Sequence, residues 1–339
     1  MESAPHKLDV VGDVHGQLEG LRALGRHLGY RVDEGWSHPE SRTLLFLGDL
    51  TDRGPDSLGV ARLVFSLVDA GRAFCLMGNH EFNLVGWALE EMEAKQSNRD
   101  TCDAATANRK AWGPLLERMR DLPLAVDLPG LRLIHAVWHR GAFDAVRPHL
   151  APRAAPPNGA STVAWLRRHV VLESPWGTSG LRAGLTRADF GDQRDPAQEI
   201  LLKGYEVPCA PFIDRDGKDR DCARVTWWAH ASPPVPTDKL TVFGHYWNLP
   251  PTAAHKAFVP PHPPGTDELR EWQRTHAGAT PPFGSVEVPA DARFVCVDYS
   301  GVPDGNAGSC VGALRWPERQ VCWVRLPDAD VGLLGQSED

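Results

Sequence analysis

Three short polar blocks each follow an apolar run, and their side chains are of types that bind metal ions and phosphate. The blocks are Gly12-Asp13-Val14-His15-Gly16, Gly48-Asp49-Leu50-Thr51-Asp52-Arg53-Gly54 and Gly78-Asn79-His80-Glu81. Carboxylate, amide and imidazole groups are ligands of divalent transition metals, and an arginine suits a phosphate group. The combination predicts metal-assisted hydrolysis of a phosphoester.

Two further histidines also follow apolar runs, since His135 comes after Leu131–Ile134 and His245 after Leu240–Phe243. With the three blocks they give six candidate metal ligands: Asp13, His15, Asp49, Asn79, His135 and His245. Six ligands suffice for two divalent cations, which one bridging carboxylate can hold roughly 3.5–4 Å apart. Asp49 is the natural bridge. The mixed ligand set favours manganese, with iron or zinc as alternatives, over calcium.

The elements around the blocks repeat a strand, a loop and a helix. Leu8–Val11 reads as a strand and Leu18–Leu28 as a helix, because leucines recur in the latter at helical spacing. The pattern returns with a strand at Thr43–Leu47 and a helix at Leu58–Val68, and a third strand is expected at Ala73–Met77. Spacings of 36 and 30 residues between Asp13, Asp49 and Asn79 suit successive βαβ units. Loops at the carboxyl ends of such strands converge, so the blocks should meet.

The rest of the chain is expected to belong to the same unit, a single domain over residues 1–339. We expect a helical insertion at about 84–125 and an irregular insertion at about 144–236. The second should contain a helix over 162–171 and two short strands around a turn within 199–228. Closing strands are expected at 294–297, 311–314 and 321–324.

Composition restricts the partners. The chain has 36 Lys and Arg against 44 Asp and Glu, a net charge of -8, which argues against nucleic acid as a partner. No apolar stretch approaches about 18 residues, which argues against a membrane span. The seven cysteines form no C-x-x-C pair and read as reduced thiols of a cytoplasmic protein.

The blocks resemble those of the calcineurin-like metallophosphoesterase superfamily. The Asp-Arg-Gly and Asn-His-Glu endings resemble its phosphoprotein-phosphatase branch, which includes Ser/Thr phosphatases and symmetrical dinucleoside tetraphosphatases. Val297-Asp298-Tyr299-Ser300 is similar to a closing segment of bacterial dinucleoside tetraphosphatase-like members. The resemblance implies an α/β fold, a four-layer α/β/β/α sandwich of two mixed sheets with the metal site at the carboxyl ends of strands.

The resemblance also implies roles for individual residues. It places Asp13, His15 and Asp49 on a first metal, and Asp49, Asn79, His135 and His245 on a second. It makes His80 the general acid for the leaving oxygen, with Asp52 orienting it, and gives Arg53 to the phosphate. The chemistry of the reaction also indicates a histidine acid, independently of the resemblance, because a leaving oxygen needs a proton donor and histidine supplies one near neutral pH.

Two motifs depart from the branch. Its usual His-Ala-Gly or His-Gly-Gly is replaced here by His135-Ala136-Val137-Trp138-His139, and its Gly-His-Thr by Gly244-His245-Tyr246-Trp247. Bulky residues beside two proposed ligands should reshape the mouth of the site. For His139 itself, a structural role is preferred over a further ligand or acid.

A second phosphate-binding arginine is expected before the last histidine. The candidates are Arg182, Lys203 and Arg224, of which Arg224 is preferred because it precedes a segment of strand character. Four tryptophans, Trp138, Trp227, Trp228 and Trp247, could stack on a nucleobase. Core packing is their commoner role.

The sequence therefore predicts a dinuclear metal-dependent phosphohydrolase in which a metal-bridging hydroxide attacks phosphorus. The preferred substrate is a phosphoprotein carrying phosphoserine, phosphothreonine or phosphotyrosine. A symmetrical dinucleoside tetraphosphate hydrolase is the alternative, and a nucleic-acid end phosphatase is disfavoured by the acidic net charge. A scaffold that has lost catalysis should lack a ligand or the acid, and every one of these residue types is present.

Overall fold

A computed structural model describes most of the chain. The described residues are 6–150, 161–176, 197–204, 206–213, 219–224, 227–229, 236–246, 283–299 and 310–326. Arg182 and Trp247, two of the candidates from the sequence, lie outside these residues. Within them, no helix is both long and apolar enough to cross a lipid bilayer.

Strands and helices alternate through the first part of the chain and give way to strands in the last part. The strands are β1 (Leu8–Val11), β2 (Thr43–Phe46), β3 (Ala73–Cys75), β4 (Ala125–Leu128), β5 (Leu131–Ile134), β6 (Val170–Leu172), β7 (Glu206–Ile213), β8 (Asp219–Arg224), β9 (Leu240–Phe243), β10 (Phe283–Glu287), β11 (Phe294–Cys296), β12 (Asp298–Tyr299), β13 (Cys310–Trp316) and β14 (Gln320–Arg325). The helices are α1 (Leu18–His27), α2 (Ser57–Asp69), α3 (Asn79–Ala88), α4 (Arg99–Ala107), α5 (Arg109–Arg120), α6 (Arg140–Val146), α7 (Thr162–Arg168) and α8 (Ala197–Lys203).

The first sheet runs in the order β10-β14-β13-β1-β2-β3, and β12 also pairs with β13. Strands β1, β2 and β3 are parallel, with Val10 opposite Leu45 and Leu45 opposite Phe74. On its other side β1 is antiparallel to β13, where Val10 lies opposite Leu314. The three parallel strands therefore end at one edge of the sheet, where the three polar blocks begin.

The second sheet runs in the order β11-β9-β5-β4-β6. Strand β9 is parallel to both β5 and β11, so that Leu133 lies opposite Val242. Strand β4 is antiparallel to β5 and β6. Because β5 and β9 are adjacent and parallel, the residues that follow them, His135 and His245, emerge side by side.

The two sheets pack face to face. One buried cluster joins Leu8, Val10 and Leu45 of the first sheet to Leu133 and Val242 of the second. The alternate residues of the first sheet, such as Val11 and Phe46, belong to a second cluster that includes Leu24 of α1 and Val64 of α2. In the second sheet Ile134 and Phe243 likewise face outward, in a cluster with Phe143 of α6 and Ile200 of α8. The expected sandwich of two mixed sheets between helical layers is confirmed.

Several elements differ from their expected bounds. The helix expected over 162–171 ends at Arg168, and Val170–Leu172 forms β6 against β4 instead. This β-branched pair, Val170 and Val171, favours a strand once an edge is available to it. The two strands expected within 199–228 are β7 and β8, an antiparallel pair preceded by α8. Strand β4, which begins where the expected helical insertion ends, was not predicted.

Candidate metal centre

The polar blocks converge where the parallel strands end. Asp13 and His15 follow β1, and Asp49 follows β2. Asn79 and His80 are the first two residues of α3, which begins directly after the loop from β3. Their side chains are all buried, at 7% exposure or less.

The backbone at this edge is sharply turned. His15, Asp49, Asp52, Arg53 and His245 have left-handed φ angles between 46° and 72°. Such conformations are uncommon for residues with side chains and concentrate at functional sites. Here each of them turns a polar side chain away from the strand direction.

The first group of potential ligands consists of His15, Asp49 and His80, whose donor atoms all lie within 4.8 Å of one another. His15 Nε2 is 3.7 Å from Asp49 Oδ2 and 3.9 Å from Asp13 Oδ2. The three residues that the family resemblance gives to the first metal therefore lie together.

The second group consists of Asp49, His135 and His245, again within 4.8 Å. Asn79 Oδ1 is 3.1 Å from His135 Nε2, so the amide oxygen faces the same space. Asp49 belongs to both groups among the described residues. This is the position that a bridging carboxylate must occupy.

Two of the histidine rings are fixed from behind. The Nδ1 atom of His15 lies 2.9 Å from the carbonyl oxygen of Thr51, and that of His135 lies 3.0 Å from the carbonyl oxygen of Leu47. Each Nδ1–H donates to the carbonyl, which leaves Nε2 to bind a ligand. Metal-binding histidines are held in this way by backbone acceptors.

His80 is held differently, because its Nδ1 lies 2.5 Å from Asp52 Oδ2. Its Nε2 is 3.9 Å from Asp49 Oδ2. A histidine oriented by a carboxylate is suited to proton transfer. Proximity alone would include His80 among the ligands, but its bond to Asp52 supports the expected role as an acid.

Arg53 lies at the edge of the first group. Its Nη1 is 3.2 Å from His15 Nε2, and the residue is exposed. A guanidinium at this position can reach both solvent and an anion that enters the centre.

The electrostatics of the centre are those of crowded buried carboxylates. Burial, together with the charges of Asp298 and Asp49, raises the pKa of Asp13 well above its usual value. Burial alone would also raise the pKa of Asp49, but His135 and His80 hold it well below its usual value. Buried carboxylates at such close range are stabilised by cations.

A cation pair fits these residues. Carboxylate, amide and imidazole donors surround two adjacent spaces, and two imidazole rings present Nε2 with Nδ1 already bonded. This donor set suits manganese, iron or zinc.

Two buried acidic residues were not assigned roles from the sequence. Glu81 accepts hydrogen bonds from the backbone N–H groups of Asp49, Leu50 and Gly78 at 2.7, 2.8 and 3.1 Å. Burial raises its pKa to about 7. Asp298, at the start of β12, is fully buried, and its charge acts on Asp13. Glu81 belongs to the block Gly78-Asn79-His80-Glu81, and Asp298 belongs to Val297-Asp298-Tyr299-Ser300. Their positions within these motifs were the sequence signal that could have identified them as residues near the centre.

The candidates for a second phosphate-binding cation are not all located. Arg224 is the last residue of β8, and its side chain lies outside the described part of the chain. Lys203 is the last residue of α8. His139 Nδ1 accepts a hydrogen bond from the N–H of Ala142 at 3.1 Å and so caps α6, which is the structural role expected for it.

Two of the described tryptophans lie in the core. Trp227 is fully buried against Phe243 and Phe294, and Trp138 is buried against Phe143. Trp228 is partly buried and packs edge-on against Tyr246, the residue after His245. For Trp138 and Trp227 the core interpretation is confirmed.

Comparison with known proteins identifies a family for this chain. The family model described as calcineurin-like phosphoesterase matches residues 6–207. The chain is 48% identical over 75 residues to the asymmetrical bis(5'-nucleosyl)-tetraphosphatase PrpE of Oceanobacillus iheyensis, covering 22% of this chain and 30% of that protein. PrpE of Geobacillus sp. (strain WCH70) is 47% identical over 75 residues, covering 22% and 31%. The chain thus spans less than a third of the length of these curated relatives.

Among solved structures, a serine/threonine phosphatase from Saccharomyces cerevisiae with similarity to human phosphatase PP5 aligns with a TM-score of 0.46 and 16% identity, covering 95% of this chain and 81% of that one. The family model itself spans more than half of the chain, including the first three blocks and His135. The chain belongs to the calcineurin-like phosphoesterase family.

Proposed function

We propose that the protein is a dinuclear metal-dependent phosphohydrolase in which His80 protonates the leaving oxygen. The observation that carries the proposal is the His80–Asp52 pair, at 2.5 Å, beside two ligand groups that share Asp49. Two divalent cations, when bound, supply hydroxide near neutral pH and neutralise phosphoryl oxygens. Both requirements of phosphoester cleavage, a nucleophile and a proton donor, thus have a place in one centre.

The residues around the cations orient the substrate. Arg53 can bond two phosphoryl oxygens and compensate their charge. Asp52 holds the His80 ring through Nδ1, so that Nε2 faces the centre. The leaving oxygen then takes that proton as the bond to phosphorus breaks.

For the substrate we propose a nucleotide polyphosphate of the dinucleoside tetraphosphate class. A segment of 75 residues is 48% identical to a protein named as an asymmetrical bis(5'-nucleosyl)-tetraphosphatase. The phosphoprotein favoured by the sequence remains the second candidate, since the Asp52-Arg53-Gly54 and Asn79-His80-Glu81 motifs resemble those of protein phosphatases.

Replacing the acid tests the mechanism. His80→Asn should lower kcat by about 10²–10⁴-fold on an alkyl phosphate, and less on p-nitrophenyl phosphate, whose leaving group needs little protonation. Steady-state kinetics on both substrates give the ratio of the two losses in kcat, and bound metal is measured by mass spectrometry. His27→Asn, at an exposed histidine of α1, is the matched control. Equal losses on the two substrates would contradict the assignment.

The substrate is tested by comparing diadenosine tetraphosphate with a panel of phosphopeptides. A kcat/KM at least about a hundredfold higher for diadenosine tetraphosphate is expected, since most of its binding contacts would be absent from a peptide. Chromatography of the products distinguishes symmetrical cleavage to ADP from asymmetrical cleavage to ATP and AMP. Preference for a phosphopeptide would favour the protein phosphatase instead.

A further inference from the structure

Two lysines lie against each other beside the metal centre. Lys95 and Lys203, here called the lysine pair, lie close enough for the charge of Lys203 to lower the pKa of Lys95, and the helices that hold Asn83 and Lys203 are in contact. Lys95 Nζ donates to Asn83 Oδ1 at 2.8 Å, and Asn83 itself is buried, at 3% exposure. The pair is therefore anchored to α3.

Three segments that carry proposed ligands of the second cation surround the pair. Asn83 lies four residues after Asn79, on the same face of α3 and about 6 Å along its axis. The carbonyl oxygen of Leu201, two residues before Lys203, accepts from Val137, two residues after His135. Gly204 lies against the hydroxyl of Tyr246, the residue that follows His245. Lys95 thus contacts α3 one helical turn beyond Asn79, and Lys203 adjoins the residue that contacts Tyr246.

The charge of the pair is only half compensated among the described residues. Glu199 Oε2 is 3.2 Å from Lys203 Nζ and its charge also acts on Lys95, whose Nζ is bonded to a neutral amide, so one carboxylate faces two ammonium groups. Burial, and next the charge of Lys203, lowers the pKa of Lys95 to about 8. Nearby, both amide atoms of the buried Asn98 lack a hydrogen-bond partner in the described structure.

Adjacent like charges destabilise a fold, so this arrangement has no structural advantage. An anion between the ammonium groups would turn their repulsion into two charge-assisted hydrogen bonds. Local conflicts of this kind are typical of functional sites.

We propose that the lysine pair binds a phosphate group of the substrate adjacent to the one that is cleaved. This inference rests on the proposed function and deepens it, because a polyphosphate chain carries the second anion that a simple phosphomonoester lacks. The scissile phosphate lies at the cations and Arg53, and the chain continues along α3 to Lys95 and Lys203.

The test compares Lys95→Met, Lys203→Met and the charge-conserving Lys95→Arg in the metal-loaded enzyme. For each Met variant, the ratio of kcat/KM for diadenosine tetraphosphate to that for p-nitrophenyl phosphate should fall about tenfold or more, mainly through KM. Lys95→Arg should retain most of the ratio. A thermal melt confirms that each variant is folded at the assay temperature, because loss of the Lys95–Asn83 hydrogen bond and relief of the repulsion act on stability in opposite directions.

Lys239→Met is the matched control. Lys239 also loses one positive charge, but it lies at the opposite end of β9, about 20 Å along the chain from His245. In Lys239→Met, the ratio of kcat/KM for diadenosine tetraphosphate to that for p-nitrophenyl phosphate should stay at the wild-type value.

Each other result overturns the inference. It fails if the Met variants keep the wild-type ratio, if they lose both activities in proportion, or if the loss appears with an acidic phosphopeptide and not with diadenosine tetraphosphate. A wild-type enzyme that hydrolyses none of the three substrates with manganese would instead refute the proposed function, so the two failures are distinguishable.

Discussion

The Glu81 side chain links two of the three polar blocks and is not among the proposed metal ligands. Its carboxylate accepts the N–H groups of Asp49 and Leu50 in the second block and of Gly78 in its own. Asp49 Oδ1 in turn accepts the N–H of His80 at 2.9 Å. One reciprocal set of backbone hydrogen bonds thus positions Asp49, the proposed bridge, and His80, the proposed acid.

Removal of this carboxylate should loosen the centre. Glu81→Ala leaves three buried N–H groups unpaired, each costing about 1–3 kcal/mol, so we expect unfolding free energy to fall by at least about 3 kcal/mol. Glu81→Gln keeps one acceptor oxygen, so its free energy of unfolding should lie between those of the wild type and Glu81→Ala. Denaturant unfolding and metal content measure both effects, with Glu117→Ala, an exposed residue of α5, as control. Wild-type stability in Glu81→Ala would contradict this role.

The convergence of the proposed ligands was predictable from the sequence because each stands within a few residues of the end of a buried strand. Asp13, Asp49 and His135 needed only local patterns and the rule that parallel strands end at one edge. Glu81 needed knowledge of which backbone N–H groups point inward, and this depends on how two loops pack. Lys95 and Lys203 are separated by more than a hundred residues, and no local pattern relates them.

The turn after β9 brings the last histidine to the centre through a close approach of backbone to carboxylate. Gly244 N donates to the carbonyl of His135 at 2.8 Å, and His245 N lies 3.2 Å from both carboxylate oxygens of Asp13. A Cβ on Gly244 would collide with Asp13 Oδ1. The turn therefore requires glycine at this position.

Gly244→Ala should displace Asp13 or the turn itself. We expect loss of most activity and weaker metal binding, since a misplacement of about 1 Å can cost a hundredfold in rate. Gly113→Ala, in α5, places its methyl more than 4 Å from the atoms of every other element described and should keep wild-type activity and metal binding. Steady-state kinetics and metal titration measure activity and metal affinity in the two variants. Equal activity and equal metal affinity in both would contradict the steric explanation.

Elements were predicted best where burial is uniform. Leu131–Ile134 and Leu240–Phe243 have the expected bounds because every residue in them is buried. The segment 162–172 was misread because apolar residues continue from α7 into β6, and only pairing with β4 separates helix from strand. The extent of the two proposed insertions stays a prediction.

Both sheets contribute to the candidate centre, so cations bound there would join elements that are far apart in the chain. Asp13 and Asp49 come from the first sheet, and His135 and His245 from the second. Cations bound across these sheets would stabilise the whole fold by mass action, by about 2.7 kcal/mol per site at a free concentration a hundred times Kd.

Chelation should therefore abolish activity and lower Tm, and manganese should restore both. Asp13→Asn, which removes one proposed ligand, should show a smaller rise of Tm on adding manganese. Differential scanning calorimetry with metal-free and reloaded protein measures the effect. A Tm that does not respond to chelation would exclude a structural contribution of the cations.

The pairing of β1 with β13 has a consequence for biosynthesis. On the ribosome β1 emerges first, yet its antiparallel partner, Cys310–Trp316, is made some three hundred residues later. Until then one edge of β1 is open, and strand edges that wait exposed invite pairing with other chains. The nascent protein should therefore depend on chaperones for as long as this edge of β1 stays open.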